Sequence, residues 1–381
     1  MNIVNKLTWR HMMKNKRRTL VTIIGVIISV AMVTAVLTLI ISFMDLLQRQ
    51  TMERTGKWHV TYENVNAEQL EAIRSDDQTQ TSFLSRDIGY AVLQDSKNDQ
   101  KPYVYLMEFD EQGFQNAPVK LLEGRLPQNE HEVLLSAHIE SSGQVVYEIG
   151  DEITWEFGQR VMKGQDSSIE YLDQTYSLIE EGDGVQEELL PTETRSLTVV
   201  GIIEPPYFEP SWSPGYTIIS YLDEATVADR PVDVSVFADK VNFTFKKQTE
   251  QLASSLNIES YTLNEDLLRY YGVINNQGTF KALAGFGTVL MLIIMVGSVS
   301  LIYNAFAISV SERSRHLGML SSVGATKKQK RRSVLFEGAV ITLISIPIGI
   351  ISGILGIAVT FYFINDRLIR LFGFEQQLVV S

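Results

Sequence analysis

The stretch LVTIIGVIISVAMVTAVLTLIISFM occupies residues 20–44 and contains no charged side chain in its 25 positions. Two further runs have the same character: residues 282–310, with 29 positions, and residues 338–364, with 27. A helix needs roughly 20 consecutive apolar residues to cross a bilayer. Each run is therefore long enough to span a membrane. The 381-residue chain, with a net charge of −12 and no cysteine, is predicted to be an α-helical membrane protein and not an ordinary soluble enzyme.

The first run has the position of a secretion signal but not its length. It follows basic residues at positions 14 and 16–18, as the apolar part of a signal peptide does. That apolar part is only about 7 to 15 residues long, and no clear small-x-small cleavage site follows this run. We interpret it as a retained membrane helix.

Charge is distributed unevenly around the three runs. Residues 1–19 carry six basic side chains and no acid, and residues 311–337 carry seven basic against two acidic side chains. By the positive-inside rule, both segments face the cytoplasm. Residues 45–280 hold 41 acidic and 17 basic side chains, which places them outside. The tail, residues 365–381, is then also outside, and the bounds of the three spans are residues 20–44, 281–310 and 338–364.

The N-terminal segment has basic residues at helical spacing. Lys6, Arg10 and Lys14 lie four residues apart, beside apolar residues at positions 3, 4 and 7. This pattern predicts an amphipathic helix on the inner membrane face, with lipid as its partner.

The outside domain has mixed patterns and is predicted to be α+β, with an α/β lobe and a β-rich lobe. Alternating or apolar stretches predict strands at residues 58–62, 84–93, 103–109, 132–135, 145–147, 152–157, 197–203 and 216–219, and strands within 232–245. Helices are predicted at residues 66–74, with Asn66 as the N-cap, and at 247–256 and 264–272. The acidic stretch 164–193 is interpreted as a solvated loop. The chain is expected to return to the first lobe after residue 232.

Catalytic and transport motifs are sparse. The sequence has no G-x-x-x-x-G-K-[ST] loop and no G-x-S-x-G elbow. His59, His131 and His138 lack the spacing of a metal site, so we assign no ligand and no enzymatic activity. The apolar runs contain no ionisable residue, which disfavours an ion-coupled carrier. No cofactor and no nucleic-acid partner are expected for this chain.

Residues 311–337, which we call the coupling elbow, join the second and third runs and begin SERSRHLGMLSSVGATKKQKRR. Gly324 is placed to end one helix in a left-handed conformation. Thr326 with Gln329 three residues later predicts a capping box that starts the next helix. The apolar residues Leu317 and Met319, together with Leu320, would lie at the outer edge. On pattern alone, docking of a partner and anchoring of the basic residues to anionic lipid remain equal alternatives.

The elbow resembles a motif of the FtsX-like or MacB-type permeases of ABC transporters, S-E-R-x-R-x-x-G-x-L-x-x-x-G-A-T-x-x-Q. The matching residues are Ser311, Glu312, Arg313, Arg315, Gly318, Leu320, Gly324, Ala325, Thr326 and Gln329, with Glu337-Gly338 following. Similar family features are a basic N-terminus, the segments GRLP at residues 124–127 and EVLLS at 132–136, and GDEI at 150–153 followed by TVVGI at 198–202. The resemblance spans the chain.

This resemblance implies a cytoplasmic ABC ATPase subunit that docks on the elbow and binds ATP and Mg itself. A second permease unit, identical or different, is also implied. Glu312, Arg313, Gly318, Leu320, Gly324, Thr326 and Gln329 are the expected coupling residues. Arg313 would make a charge contact, and Leu317, Met319 and Leu320 apolar contacts. ATP-driven motion would then act outside on a peptide, antibiotic or lipoprotein, from the bacterial cytoplasmic membrane.

The chain departs from the family pattern in three places. His316 and the pair Ser321-Ser322 replace residues more common there. Family members also place a fourth membrane helix after an outside loop, whereas this sequence stops within that loop, which fits a truncated chain, a half permease or a split subunit. Two other functions stay open: an FtsX-like regulator of a cell-wall hydrolase, and a membrane receptor that uses no ATPase.

Overall fold

The chain divides into two compact units, Met1–Gln50 with Gly278–Ser381, and Thr51–Gln277. The computed structural model describes residues 3–163, 169–181, 184–185, 187–273, 278, 281–282, 284–300, 303, 318, 326–372 and 376–381.

The described residues form helices and strands along the whole chain. The helices are α1 (Ile3–Lys14), α2 (Lys16–Thr55), α3 (Ala67–Arg74), α4 (Glu111–Asn116), α5 (His138–Ser141), α6 (Phe245–Ser255), α7 (Glu265–Leu268), α8 (Ala284–Ser300) and α9 (Lys327–Phe372). The strands are β1 (Val60–Val65), β2 (Thr79–Val92), β3 (Tyr103–Phe109), β4 (Leu121–Gly124), β5 (Glu132–Ser136), β6 (Glu152–Lys163), β7 (Ile169–Leu172), β8 (Glu180–Glu181), β9 (Gly184–Val185), β10 (Glu188–Ile203), β11 (Gly215–Tyr221), β12 (Val232–Ala238) and β13 (Tyr261–Leu263).

The first unit contains the apolar helices. Two stretches, Thr19–Thr55 and Lys327–Asn365, are long and apolar enough to cross a membrane. The predicted second span is described only in part, as the shorter apolar helix α8. α9 extends beyond the predicted span at both ends, because Lys327 already follows a helix cap and the helical pattern continues to Phe372.

Small residues bring α2 and α9 together. A side chain added at Gly349 would meet Val30 Cβ at 2.6 Å, and one added at Gly353 would meet the carbonyl oxygen of Ala31 at 2.7 Å. Apolar helices that lack large side chains at the contact can approach closely enough for backbone packing. These two glycines therefore serve packing within the chain.

The helix α1 packs against the start of α9. Thr8 Oγ1 lies 2.7 Å from Ser333 Oγ. Met12 is buried in a cluster with Val26 and Ile341. A helix is present where the amphipathic helix was predicted; it buries Thr8 and Met12, whereas Leu7, Trp9 and Met13 are exposed.

The second unit is built on one mixed sheet, in the order β13-β1-β12-β2-β3-β11-β5-β10-β6-β7, with β4 paired to β10. The pairs β3–β11 and β5–β10 are parallel and the other pairs are antiparallel. The strand β12 returns to pair with β1 and β2, as predicted. The two predicted lobes share this continuous sheet but have separate hydrophobic clusters, one around Val65 and Val234 and one around Phe157 and Leu197.

Two local predictions are wrong and a third holds only in part. Residues 145–147 are not a strand, because Val145 and Tyr147 pack onto the second cluster from an irregular segment. The strand predicted within 232–245 ends at Ala238, and Phe245 begins α6. The acidic stretch 164–193 is not one solvated loop, since its described part contains β7, β8, β9 and the start of β10.

A buried ion pair holds this acidic stretch to the sheet. Arg160 of β6 and Glu187 are both fully buried and pair through Nη2 and Oε2 at 2.6 Å and through Nε and Oε1 at 2.7 Å. Arg160 also donates to the carbonyl oxygens of Asp173, Tyr176 and Ser177. All five N–H donors of the guanidinium are therefore used, and the turn at residues 173–177 is fixed on β6.

We expect Glu187→Gln to destabilise the outside domain by about 3–5 kcal/mol, because it leaves the buried guanidinium without its counter-charge. Denaturant unfolding of the full chain in detergent, followed by tryptophan fluorescence, to which the buried Trp155 contributes, measures the loss. The matched control is Glu188→Gln at the exposed neighbouring position. An equal effect of the two changes would contradict the assignment.

Candidate functional site

The coupling elbow is described at Gly318 and over residues 326–337. Gly318, Thr326 and Gln329 are described, and Glu312, Arg313, Leu317, Met319, Leu320 and Gly324 lie outside the described residues. Gly318 is exposed, and a side chain added there would meet no atom within 4 Å. The role of the elbow in docking stays a prediction.

The predicted capping box at the start of α9 is formed. The backbone N–H of Thr326 donates to Gln329 Oε1 at 2.8 Å, and the backbone N–H of Gln329 donates to Thr326 Oγ1 at 3.3 Å. Two N–H groups that a helix N-terminus leaves open are thereby satisfied by side chains. The position at which α9 begins is therefore set by residues of the helix start itself and needs no binding partner.

The start of α9 is strongly basic and open to its surroundings. Within KKQKRR at residues 327–332, Lys330 is half-buried and the other residues are exposed. Cations near a helix N-terminus are repelled by the positive end of the helix dipole. Contact with an anionic surface would offset this repulsion. This arrangement suits contact with acidic protein side chains or with lipid phosphate.

In the second unit, α2 ends at a tight turn. Gly56 has φ +95°, in the left-handed region, and an added side chain would meet Trp58 Cδ1 at 2.9 Å. Trp58 Nε1 donates to the carbonyl oxygen of Thr55 at 2.8 Å. This hydrogen bond satisfies a carbonyl that the helix end leaves open, so the direction in which the chain leaves α2 is fixed.

An acidic cleft of about 670 Å³ lies beside β2, β6 and β12. The charged residues that line it are Glu63, Asp87, Asp173, Glu193, Asp233, Arg86 and Arg230. Both arginines are already paired, Arg86 with Glu108 at 3.2 Å and Arg230 with Glu193 at 3.2 Å. The cleft therefore presents more negative than positive charge.

Asp233 is a carboxylate of this cleft whose pKa is strongly raised. Its Oδ1 accepts the backbone N–H of Asn64 at 2.9 Å. Burial raises the pKa of Asp233 to about 7, and the Asn64 hydrogen bond opposes that shift in part. Because the folded-state pKa is raised, ionisation of this group destabilises the fold as the pH increases.

We expect Asp233→Asn to stabilise the outside domain, because the amide keeps the acceptor for Asn64 and removes the buried charge. The gain should be absent below pH 3.8, grow between pH 3.8 and about 7, and stay constant above. Unfolding midpoints of the full chain across this range test the prediction. Asp239→Asn, at an exposed position, is the control, and a pH-independent gain would contradict the pKa assignment.

The three histidines of the outside domain have separate surroundings. His59 is buried, its Nδ1 accepts the backbone N–H of Ala238 at 3.0 Å, and burial lowers its pKa to about 4. His138 Nδ1 lies 3.1 Å from Glu209 Oε1, and His131 is exposed. Among the described residues, no group of three or more histidine, cysteine or acidic side chains could hold a metal ion.

Comparison with known proteins places both units in one family. The family model described as MacB-like periplasmic core domain matches residues 19–237, more than half of the chain. The model described as FtsX-like permease C-terminal matches residues 288–380. The chain belongs to the FtsX/MacB-type permease family. This permease has a large α+β domain of the MacB periplasmic type, flanked by two candidate membrane helices.

Individual relatives are distant from this permease. The ABC transporter permease YtrF of Bacillus subtilis (strain 168) is 29% identical over 120 residues, which are 31% of this chain and 26% of that protein. The chain thus spans about a quarter of the length of the curated relative it matches.

Two solved structures are similar at low scores. The periplasmic region of MacB from Actinobacillus actinomycetemcomitans is 14% identical, covers 58% of this chain and 94% of that chain, and gives a TM-score of 0.33. The extracellular domain of the noncanonic ABC-type transporter YknZ from Gram-positive bacteria is 10% identical. The match covers 54% of this chain and 98% of that chain, with a TM-score of 0.31.

Proposed function

We propose that this permease is a subunit of an ABC-type complex of the bacterial cytoplasmic membrane, where it transmits the ATP-driven motion of a separate ATPase to its outside domain. The observation that supports this most is the presence, in one chain, of a MacB-like core over residues 19–237 and an FtsX-like region over 288–380. In this proposal the N-terminus is cytoplasmic, the chain crosses the membrane several times, and residues 45–280 act outside.

The coupling elbow is the proposed ATPase-docking element. Its second part is the start of α9, which is fixed by the Thr326–Gln329 capping box. A fixed helix start can pass a push or pull on the elbow directly into the helix, whereas a frayed start would absorb it. Arg313 and the exposed basic residues of α9 supply positive charge, and Leu317, Met319 and Leu320 supply apolar contact area. ATP and Mg belong to the ATPase.

The helix α2 is long enough to carry motion across the bilayer and beyond it. Its 40 residues correspond to about 60 Å at 1.5 Å per residue. The hydrocarbon core of a bilayer is only about 30 Å thick. A helix of this length behaves as a lever rather than as a simple anchor. A second permease unit would complete the complex.

The outside domain is the proposed site of action on a peptide, antibiotic or lipoprotein. Residues 45–280 carry 41 acidic and 17 basic side chains, and the cleft around Asp233 is acidic. This charge favours cationic molecules at short range, since the field is screened within about 8 Å at physiological salt. The electrostatics therefore support a cationic peptide better than an anionic substrate.

The first experiment is purification of the full-length protein from its native membrane, with mass spectrometry of what co-purifies. We expect an ATPase with a Walker motif in the wild-type sample and much less of it with Gly324→Val, because valine disfavours the left-handed helix stop that the sequence predicts at this position. Membrane insertion should be unchanged. Gly356→Val is the control, since a side chain there meets no atom within 4 Å.

Three outcomes of this experiment separate the possible functions. Loss of the ATPase in Gly324→Val alone supports docking on the elbow. Absence of any ATPase from the wild-type sample, under conditions that preserve known complexes, would refute the proposed complex and favour a receptor. Co-purification of a wall hydrolase bound to the outside domain, together with the ATPase, would indicate that the function is regulation and not transport.

A second change tests the elbow through a described residue. We expect Thr326→Ala to weaken the start of α9 by about 1 kcal/mol and to reduce the ATP hydrolysis that the permease stimulates. Thr326→Ser keeps the hydroxyl that accepts the Gln329 N–H and should behave as wild type. Equal activity of the alanine and serine variants in reconstituted vesicles would show that the cap has no part in coupling.

A further inference from the structure

The two ends of the outside domain meet at one place. The strand β1 pairs antiparallel with β13, so that Val60 faces Leu263. One residue further out on each strand, the backbone N–H of Asn264 donates to the carbonyl oxygen of His59 at 3.0 Å. The chain that arrives from α2 therefore runs beside the chain that leaves towards the second apolar run.

The side chain of Asn264 connects these two passages. Its Nδ2 donates to Thr55 Oγ1 at 3.1 Å and to the carbonyl oxygen of Trp58 at 3.1 Å. Its Oδ1 accepts the backbone N–H of Leu267 at 3.1 Å, which caps α7. Both N–H donors and the oxygen of the amide are thus used, and the residue is only 4% exposed. We call Thr55, Trp58, Asn264 and Leu267 the stalk clasp.

A charged pair lies beside the stalk clasp on the same two passages. Arg54 Nη2 lies 3.6 Å from Asp266 Oδ2. The side chain of Arg54 is 56% exposed and that of Asp266 is 35% exposed. Exposed ion pairs contribute little to stability. Beyond the end of the β1–β13 ladder, the side-chain connection to the last turn of α2 consequently depends on the buried amide, whose hydrogen bonds are shielded from competition by water.

We propose that Asn264 is a positioning residue for transmission: it holds the end of α2 to the start of α7, so that the outside domain receives motion through two passages kept at a fixed separation. This inference rests on the proposed function. Without the clasp, movement of the membrane helices separates the two passages and does not move the domain. With it, the same movement displaces the domain as a whole.

The sharpest variant is Asn264→Asp. Aspartate keeps the oxygen that caps α7, since aspartate and asparagine are equally good N-caps. It lacks the two N–H donors that reach Thr55 and Trp58 and sets a buried carboxylate beside the Trp58 carbonyl oxygen, so the bridge is broken and some stability is lost with it. Asn66→Asp is the matched control, because Asn66 caps α3 in the same way, through Gln69 N at 3.0 Å, at an exposed position.

Motion of the outside domain is measured with the full chain and its ATPase in lipid vesicles. The chain has no cysteine, and Phe243 is 84% exposed, so Phe243→Cys gives a single site for a fluorescent dye in every variant. Energy transfer from this dye to acceptor lipids reports domain movement when Mg-ATP is added. ATP hydrolysis is measured in the same vesicles.

We expect Asn264→Asp to bind its ATPase and hydrolyse ATP like wild type, but to lose the ATP-dependent change in energy transfer by about fivefold or more, the lower end of ordinary coupling effects. Asn66→Asp should retain both signals. Thr55→Val, which removes the hydroxyl that accepts from Asn264, should give a smaller loss and add nothing to Asn264→Asp in the double variant. A purely structural role predicts parallel losses in hydrolysis, unfolding midpoint and energy transfer.

The outcomes separate the clasp from the proposed function. An unchanged energy-transfer response in Asn264→Asp, or additive effects of the two variants, would overturn the clasp and leave the proposed function intact. A wild-type protein that binds no ATPase, or shows no response to Mg-ATP, would overturn the proposed function and the clasp with it. A fall in unfolding midpoint that matches the loss of response would also count against the clasp.

Discussion

The pairing of β1 with β13 is the constraint on which the outside domain depends. This domain is inserted between α2 and α8, so the chain must return to the place where it entered. The three-residue ladder from Val60–Leu263 to Tyr62–Tyr261 closes the insertion with backbone hydrogen bonds. The sheet order follows from this closure, because β12 must then lie on the other side of β1 and carry the chain back from the second lobe.

Buried ion pairs connect strands of the domain in addition to its hydrophobic clusters. Glu108 of β3 accepts Arg86 of β2 at 3.2 Å and Arg195 of β10 at 2.6 Å, so one carboxylate links three strands. The Arg160–Glu187 pair likewise attaches the turn at residues 173–177 to β6. Removing one partner of such a pair costs more than the pair contributes, because the remaining charge stays buried. These contacts therefore select one arrangement of strands more than they add stability.

Short-range features of this permease could be predicted well from the sequence. Asn66 caps α3 through Gln69, and Thr326 and Gln329 form the capping box of α9, because capping depends on residues three positions apart. Long apolar runs also predicted helices from local sequence, because a backbone in lipid must satisfy its own hydrogen bonds. The boundaries of α9 were missed, because helix ends depend on neighbours as well as on composition.

Glu187 shows why the rest could not be predicted. It belongs to an acidic stretch that favours a solvated loop, and only the position of Arg160 on β6 makes it a buried ion-pair partner. Asn264 is similar, since its bridge reaches Thr55, 209 positions away. The sequence alone determined the long apolar helices, the caps and the charge of each segment, because these follow from residues that are close along the chain. Tertiary structure decided the sheet order, the acidic cleft and the stalk clasp, because burial and hydrogen-bond partners there come from distant segments that only folding brings together.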